Sequence, residues 1–184
     1  MKKTFLFGII ICSILFFVAC GDEPKTDEQT TTADTTTVQL EGFEPFDLSP
    51  WGFEMTIMVP KAETHGEPQV NLTEWGALEI MVGKDYGLEV MYGEGDIELL
   101  KMDLDEDLVY KSKILFEEPN GIIYEREIPE SGIAPEFHFF YASKQGNDTY
   151  EVKDLMIETY GKKMIEKMYE AAKTLKLKEQ PKNS

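Results

Sequence analysis

Few side chains in this sequence of 184 residues are suited to nucleophilic or metal chemistry, because it contains only two cysteines and two histidines. His65 and His138 lie far apart, and neither belongs to an H-x-x-x-H or H-x-E pattern of the kind that holds zinc. No serine lies in a G-x-S-x-G or S-x-x-K motif. We therefore predict no catalytic residue, no metal ligand and no cofactor, and we expect the protein not to be an enzyme.

The segment that ends at Cys20 has the features of a secretory signal peptide rather than of a catalytic site. An apolar run from Phe5 to Ala19 follows Lys2 and Lys3, and Cys20 closes it. A charged start, an apolar stretch and a small residue before the cut are typical of a secretory signal peptide. A membrane span needs about 20 apolar residues, so the run is too short for an uncleaved anchor. We predict a signal peptide over residues 1–19 with cleavage between Ala19 and Cys20; cleavage that leaves an unmodified thiol is the alternative.

The segment Phe17-Val18-Ala19-Cys20 resembles the lipobox of bacterial lipoproteins, although Phe17 stands where an aliphatic residue is commoner. In that family the cysteine becomes the lipidated first residue of the mature protein. The resemblance implies that Cys20 is the lipid attachment site and that the bilayer is a partner, since two or more acyl chains anchor a protein stably. Gly21, rather than Asp, after the cysteine implies sorting to the outer membrane of the cell envelope, facing either the periplasm or the cell surface.

Residues 20–40 are rich in threonine and acids. Such a composition cannot bury enough apolar surface to offset the entropy of ordering, so we predict a disordered tether. Within it, Asp34-Thr35-Thr36 resembles an O-glycosylation motif of bacterial lipoproteins.

The charge of the chain limits its partners. It has 18 basic and 35 acidic residues, a net charge of −17. This balance argues against binding to nucleic acid or to an anionic membrane surface, and is compatible with cationic ligands. The acidic run Asp103–Asp107 does not begin an EF-hand, because Leu108 and Ile114 stand where that loop needs Gly and Glu. We interpret the run as a solvated acidic helix end.

Residue periodicity predicts an α+β fold over residues 41–179, with a frayed tail at 180–184. We expect a mainly antiparallel sheet of six to seven strands, with a mid-chain helix and a C-terminal helix packed on one face. Predicted strands cover residues 51–59, 70–82 (broken or bulged near Gly76), 86–92, 109–117, 122–128, 137–142 and 149–158. Predicted helices begin after the N-cap Asp96 and at about Thr159.

The same pattern of strands and helices predicts where individual side chains lie. His138 should lie on the sheet face opposite Phe137 and Phe139, as a packed or half-exposed strand histidine. Trp51 and Trp75 are expected in the core, with stacking on a sugar or peptide as the alternative. The methionines are expected to serve packing, or else to line an adaptable groove beneath the last helix.

The order of the elements resembles that of small PsbP/Mog1-like domains, which several bacterial lipoproteins carry. The resemblance includes the Trp51-Gly52-Phe53 opening of a strand that ends at Pro60, and a closing helix that ends in Lys173-Thr174-Leu175-Lys176. It implies a domain that binds or assembles other proteins, and it transfers no catalytic residue.

Taken together, these patterns predict a membrane-anchored envelope lipoprotein with a non-catalytic interaction or accessory role, whose partner is an envelope protein. A lipoprotein that binds a small ligand or a divalent cation is the alternative. An envelope hydrolase is a third hypothesis, because scattered carboxylates abound.

Overall fold

The computed structural model describes residues 40–178, which form ten strands and three α-helices. In chain order these are β1 (Phe43–Asp47), β2 (Met55–Pro60), α1 (Ala62–His65), β3 (Gln69–Leu72), β4 (Leu78–Val82), β5 (Tyr86–Tyr92), α2 (Ile97–Glu106), β6 (Lys111–Glu118), β7 (Gly121–Glu127), β8 (Glu136–Gln145), β9 (Asp148–Asp154), α3 (Lys162–Ala172) and β10 (Lys176–Leu177).

Seven of the strands form one antiparallel sheet in the order β3-β4-β5-β9-β8-β7-β6. The remaining strands form a second antiparallel sheet in the order β1-β2-β10. The prediction of an α+β fold with a mainly antiparallel sheet is confirmed. Short turns close the hairpins β4–β5, β6–β7 and β8–β9 where the sequence predicts them, because glycine or asparagine stands at each turn.

The two longer helices lie on opposite faces of the large sheet, so the prediction that both cover one face is wrong. Successive residues of a strand point to opposite faces. Phe139 of β8 packs edge-to-face on Tyr169 of α3, with ring centroids 6.0 Å apart. The next residue, Phe140, belongs to a separate buried cluster with Ile97 of α2. Because β7 and β8 carry consecutive apolar residues, both faces of these strands must pack against other elements.

The run predicted as one strand, bulged near Gly76, is instead the hairpin β3–β4. Val70 lies opposite Ile80, and Gly76 adopts φ +84° in the turn between the strands. The hydroxyl of Thr73 supports this turn, since it accepts a hydrogen bond from the Ala77 N–H at 2.9 Å. A tight turn and a bulge both place glycine inside an alternating pattern, which is why periodicity did not separate them.

The first predicted strand is shorter than expected. Residues Ser49–Trp51 form a 3-10 helix, and β2 begins only at Met55. Pro50 lies in this turn, where it lacks an N–H to donate to a sheet. Strand β1, which the sequence analysis did not predict, pairs with β2 from Phe43 opposite Pro60 onwards.

Helix α3 begins at Lys162 rather than near Thr159, because β9 ends at Asp154 and a loop intervenes. Met168, Ala171 and Ala172 of this helix are buried in the main apolar core. Among residues 40–178 no helix is both long enough and apolar enough to cross a membrane.

Candidate functional site

Three loops lie side by side at one end of the seven-stranded sheet. Residues 107–110 precede β6, residues 128–135 join β7 to β8, and residues 155–161 follow β9. Since these strands are neighbours in the order β9-β8-β7-β6, the loops emerge next to one another. Adjacent strands are about 4.8 Å apart, so the loops span roughly 15 Å. We call this region the three-loop end.

Large apolar side chains on these loops are exposed to solvent. Leu108 is 99% exposed, Ile157 78% and Ile133 62%, and Val109 and Met156 are also exposed. Single exposed apolar residues are common on soluble proteins, whereas several on one surface mark binding sites. The three-loop end therefore has the character of a contact surface.

Acidic residues surround these apolar side chains. Glu127, Glu130 and Glu158 are exposed on the same loops or at the strand ends that lead into them, and Glu136 is half-buried. Three exposed bases also lie near these loops: Lys111, which stands opposite Glu127, and Lys162 and Lys163, which follow the third loop, so the acids outnumber the bases. An apolar surface with such a rim attracts cations and repels anions.

A buried histidine–aspartate pair lies beneath the loops. The Nδ1 of His138 is 2.8 Å from Oδ2 of Asp154, and the two residues are 2% and 1% exposed. An ionised carboxylate only accepts hydrogen bonds, so with Asp154 ionised the imidazole proton is on Nδ1. The other carboxylate oxygen, Oδ1, accepts from the Phe139 N–H at 2.9 Å. Asp154 thus joins the end of β9 to β8, immediately before the loop that carries Met156 and Ile157.

The second ring nitrogen of His138 makes no hydrogen bond within residues 40–178. Its nearest charged neighbour is Oε2 of Glu136, 3.6 Å from Nε2, which is beyond hydrogen-bond distance. In a catalytic triad this nitrogen takes the proton of a nucleophilic hydroxyl. Here the centroid of the His138 ring lies 5.5 Å from that of the Tyr124 ring. The His138–Asp154 pair acts as a buried link between strands β8 and β9.

A second polar group holds the loop that carries Leu108. Oδ1 of Asp107 accepts hydrogen bonds from the N–H groups of Val109 at 2.8 Å and Tyr110 at 3.0 Å. These two bonds lower the pKa of Asp107, and the neighbouring Arg126 adds to the effect. The guanidinium of Arg126 bonds Oδ2 of Asp107 at 3.2 Å and lies 3.9 Å from the centroid of the Tyr110 ring. The loop therefore has a fixed backbone that presents Leu108 outward.

A cleft of about 520 Å³ lies between α2 and the sheet, next to the three-loop end. Its lining includes Leu100 and Leu104 of α2 and Phe140 of the sheet, together with Asp103 and Met156. A cleft of this size lies within the range of small-molecule sites, about 300–1,000 Å³. A volume of this size could also accommodate an apolar side chain of a partner.

The predicted lipid and cleavage residues, Cys20 and Ala19, and the glycosylation motif Asp34-Thr35-Thr36 lie outside the described residues. The acidic run Asp103–Asp107 forms the last turn of α2 and the residue after it, as predicted for a helix end. Within residues 40–178 no group of three or more histidine, cysteine or acidic side chains could hold a metal ion.

The predictions for the histidine and the tryptophans have different outcomes. His138 is packed on the face that carries Phe140, as predicted. Trp51 is half-buried against Phe46, with ring centroids 5.7 Å apart. Trp75 is exposed at the tip of the β3–β4 hairpin, so its expected place in the core is wrong. The hairpin turn that replaced the predicted bulge carries it into solvent.

The methionines are divided between the core and the surface. Met55, Met58 and Met168 are buried in the main apolar cluster, which confirms a packing role for them. Met156 is exposed on the three-loop end and lines the cleft.

Sequence reasoning missed both Asp154 and the three-loop end. Asp154 could have been found from strand alternation. It shares one face of β9 with Tyr150 and Val152, so an acidic residue stands at a position where the pattern predicts burial. The three-loop end could have been found from the apolar pairs Leu108-Val109 and Met156-Ile157, which stand next to the ends of helices or strands.

Comparison of the chain with protein-family models, with curated proteins and with solved structures finds no match.

Proposed function

We propose that this protein is a lipid-anchored envelope lipoprotein whose folded part has a non-catalytic interaction role. The anchor is Cys20, acylated after removal of residues 1–19, and the outer membrane is its location. The lipobox-like segment supports the anchor. Residues 20–40 would connect the anchor to the folded part.

The observation that carries the interaction role is the three-loop end. Its exposed apolar side chains come from three neighbouring loops, so they constitute one surface rather than isolated exceptions. Exposed apolar surface rimmed by polar residues is typical of sites where proteins meet. The buried pair His138–Asp154 and the bonds around Asp107 hold this surface in place.

A small-ligand role is the second candidate, and the cleft between α2 and the sheet supports it. Its lining combines apolar side chains with five acidic residues and two basic ones, Arg126 and Lys153, so its net charge is negative. The ligand that this lining favours is an organic cation with an apolar body.

Two measurements test the proposal. Mass spectrometry of the protein purified from membranes should find acyl chains on an N-terminal Cys20, and an unmodified Cys20 would refute the anchor. Cross-linking in intact cells with a lysine-reactive reagent should then yield one partner in stoichiometric amount. A monomer recovered without any partner would contradict the interaction role.

A further inference from the structure

The three-loop end offers an apolar centre with an acidic rim, and this combination specifies more than a generic contact surface. We infer that it docks a cationic segment of a partner protein that presents apolar side chains on one side. This inference rests on the proposed interaction role and adds the place of contact and the chemistry of the partner.

The apolar part of the argument comes from the loops themselves. Leu108 and Ile157 project from loops at opposite sides of the surface, and Ile133 lies on the loop between them. A partner that contacts all three must present several apolar side chains over roughly 15 Å. Next to them, the cleft can receive one further apolar side chain.

The charge of the rim selects the partner. Glu127, Glu130 and Glu158 are exposed on these loops or beside them, and the exposed acids of the last turn of α2, from Asp103 to Glu106, continue the acidic surface beside the cleft. Together they outnumber the exposed bases Lys111, Lys162 and Lys163, so the rim carries a net negative charge. Lysine and arginine side chains on the partner would meet these carboxylates, and this complementarity steers encounter and excludes anionic competitors.

The same charges argue against two other occupants. An anionic lipid surface would be repelled by the carboxylates of the rim. A second copy of this chain, related by two-fold symmetry, would place the same patch against itself, so two surfaces of net negative charge would meet. A separate protein with a cationic segment avoids both difficulties.

The loops are also ordered in advance of binding. The hydroxyl of Ser131 donates to the Ile128 carbonyl at 2.7 Å and accepts from the Ile133 N–H at 3.1 Å. The Leu155 N–H bonds the Gly87 carbonyl at 3.3 Å, which fixes the start of the third loop. A surface that is already ordered loses less entropy when a partner binds.

The test uses the full chain held in phosphatidylcholine nanodiscs, with empty discs as the background. The probe is a fluorescent helical peptide with leucine along one side and lysine along the other. A serine–lysine peptide and a leucine–glutamate peptide of the same length are the matched probes. We expect the leucine–lysine peptide to bind most tightly, and more weakly as salt is raised, because salt screens the charge attraction. Equal binding of the leucine–glutamate peptide would overturn the inference.

Variants locate the site. Replacing Leu108→Gln and Ile157→Gln together should weaken binding about tenfold or more, since both residues supply the apolar contact. The control pair is Leu72→Gln with Trp75→Gln, two exposed apolar residues of the hairpin at the opposite end of the sheet, and it should leave binding unchanged. All four side chains are exposed, so the fold should tolerate the changes, and circular dichroism checks this.

The remaining outcomes are decisive as well. Equal weakening by both pairs would overturn the location. Binding of the discs to phosphatidylglycerol vesicles, lost only in the Leu108 and Ile157 variant, would assign the surface to lipid instead. Concentration-dependent dimerisation lost in that variant would assign it to a second copy. If these peptide results fail while cells still yield a cross-linked partner, the interaction role stands and only this surface is wrong.

Discussion

Replacing Asp154 by alanine should destabilise the protein strongly, because it removes the acceptor of two buried hydrogen bonds. The donors are Nδ1 of His138 at 2.8 Å and the N–H of Phe139 at 2.9 Å, and neither can turn to water while β8 stays in the sheet. A buried donor left unsatisfied costs about 1–3 kcal/mol, so we expect a loss of about 2–6 kcal/mol from the free energy of unfolding.

Asp154→Asn should be milder, because the amide oxygen can still accept from Phe139. The amide N–H₂ then faces Nδ1 of His138, which requires the imidazole to move its proton to Nε2. That proton points towards Glu136, whose Oε2 is 3.6 Å away. We expect Asp154→Asn to lose about 1–3 kcal/mol, since one bond is preserved and the other is rearranged.

The assay is urea unfolding at pH 7, followed by tryptophan fluorescence of the chain purified in mild detergent. Asp148→Ala is the matched control, because Asp148 is exposed at the start of the same strand, and it should stay within about 0.5 kcal/mol of the parent. Nitrogen-15 chemical shifts of His138 should show the proton on Nδ1 in the parent and on Nε2 in Asp154→Asn. An Asp154→Ala variant as stable as the control would refute the structural role given to this pair.

Two further predictions concern packing in the core and the stability of the fold at acidic pH. Gly121→Ala should lower the free energy of unfolding by about 1–3 kcal/mol, because a Cβ there would lie 2.6 Å from the Tyr169 hydroxyl and 2.8 Å from the Phe140 carbonyl oxygen. An unchanged urea midpoint would contradict this packing. Gly132→Ala meets no atom within 4 Å but has a positive φ that Gly121 lacks, so it measures backbone strain without crowding. The Ser49 hydroxyl, helped by Lys178, lowers the pKa of Asp47 to about 2, against about 3.9 in an unfolded chain. A depressed carboxyl pKa stabilises the fold above the unfolded value, and this contribution is lost as the pH falls from about 4 to about 2. Asp47→Asn should therefore flatten the fall of stability in that window, and a slope equal to that of the parent would refute the shift.

The sheet was largely predictable from the sequence because its signals are local. Alternation marked most of the strands, and glycine or asparagine marked three of the hairpin turns. The pairing of β5 with β9 was not predictable, because it joins residues far apart in the chain, such as Val90 and Val152. The faces of the helices depended on the same long-range pairing, which is why α2 and α3 were assigned to one side.

The candidate site was less predictable than the fold. The sheet face of His138 followed from strand alternation, whereas its partner Asp154 comes from the neighbouring strand β9 and required the register. Leu108 continues the helical spacing of Leu100 and Leu104, but the helix ends at Glu106 and leaves it exposed. Whether such apolar residues are exposed depends on where a helix or strand ends. Periodicity locates these ends least well.

The most direct test of the proposed role is site-specific photo-cross-linking in living cells, with a photoreactive residue at Ile157 and, separately, at Trp75. We predict a single product from position 157 and none from position 75. Mass spectrometry should place the joined peptide of the partner in a segment rich in lysine or arginine with interspersed apolar residues. A product of equal yield from both positions, an acidic partner segment, or no protein product at position 157 would contradict the assignment of the three-loop end.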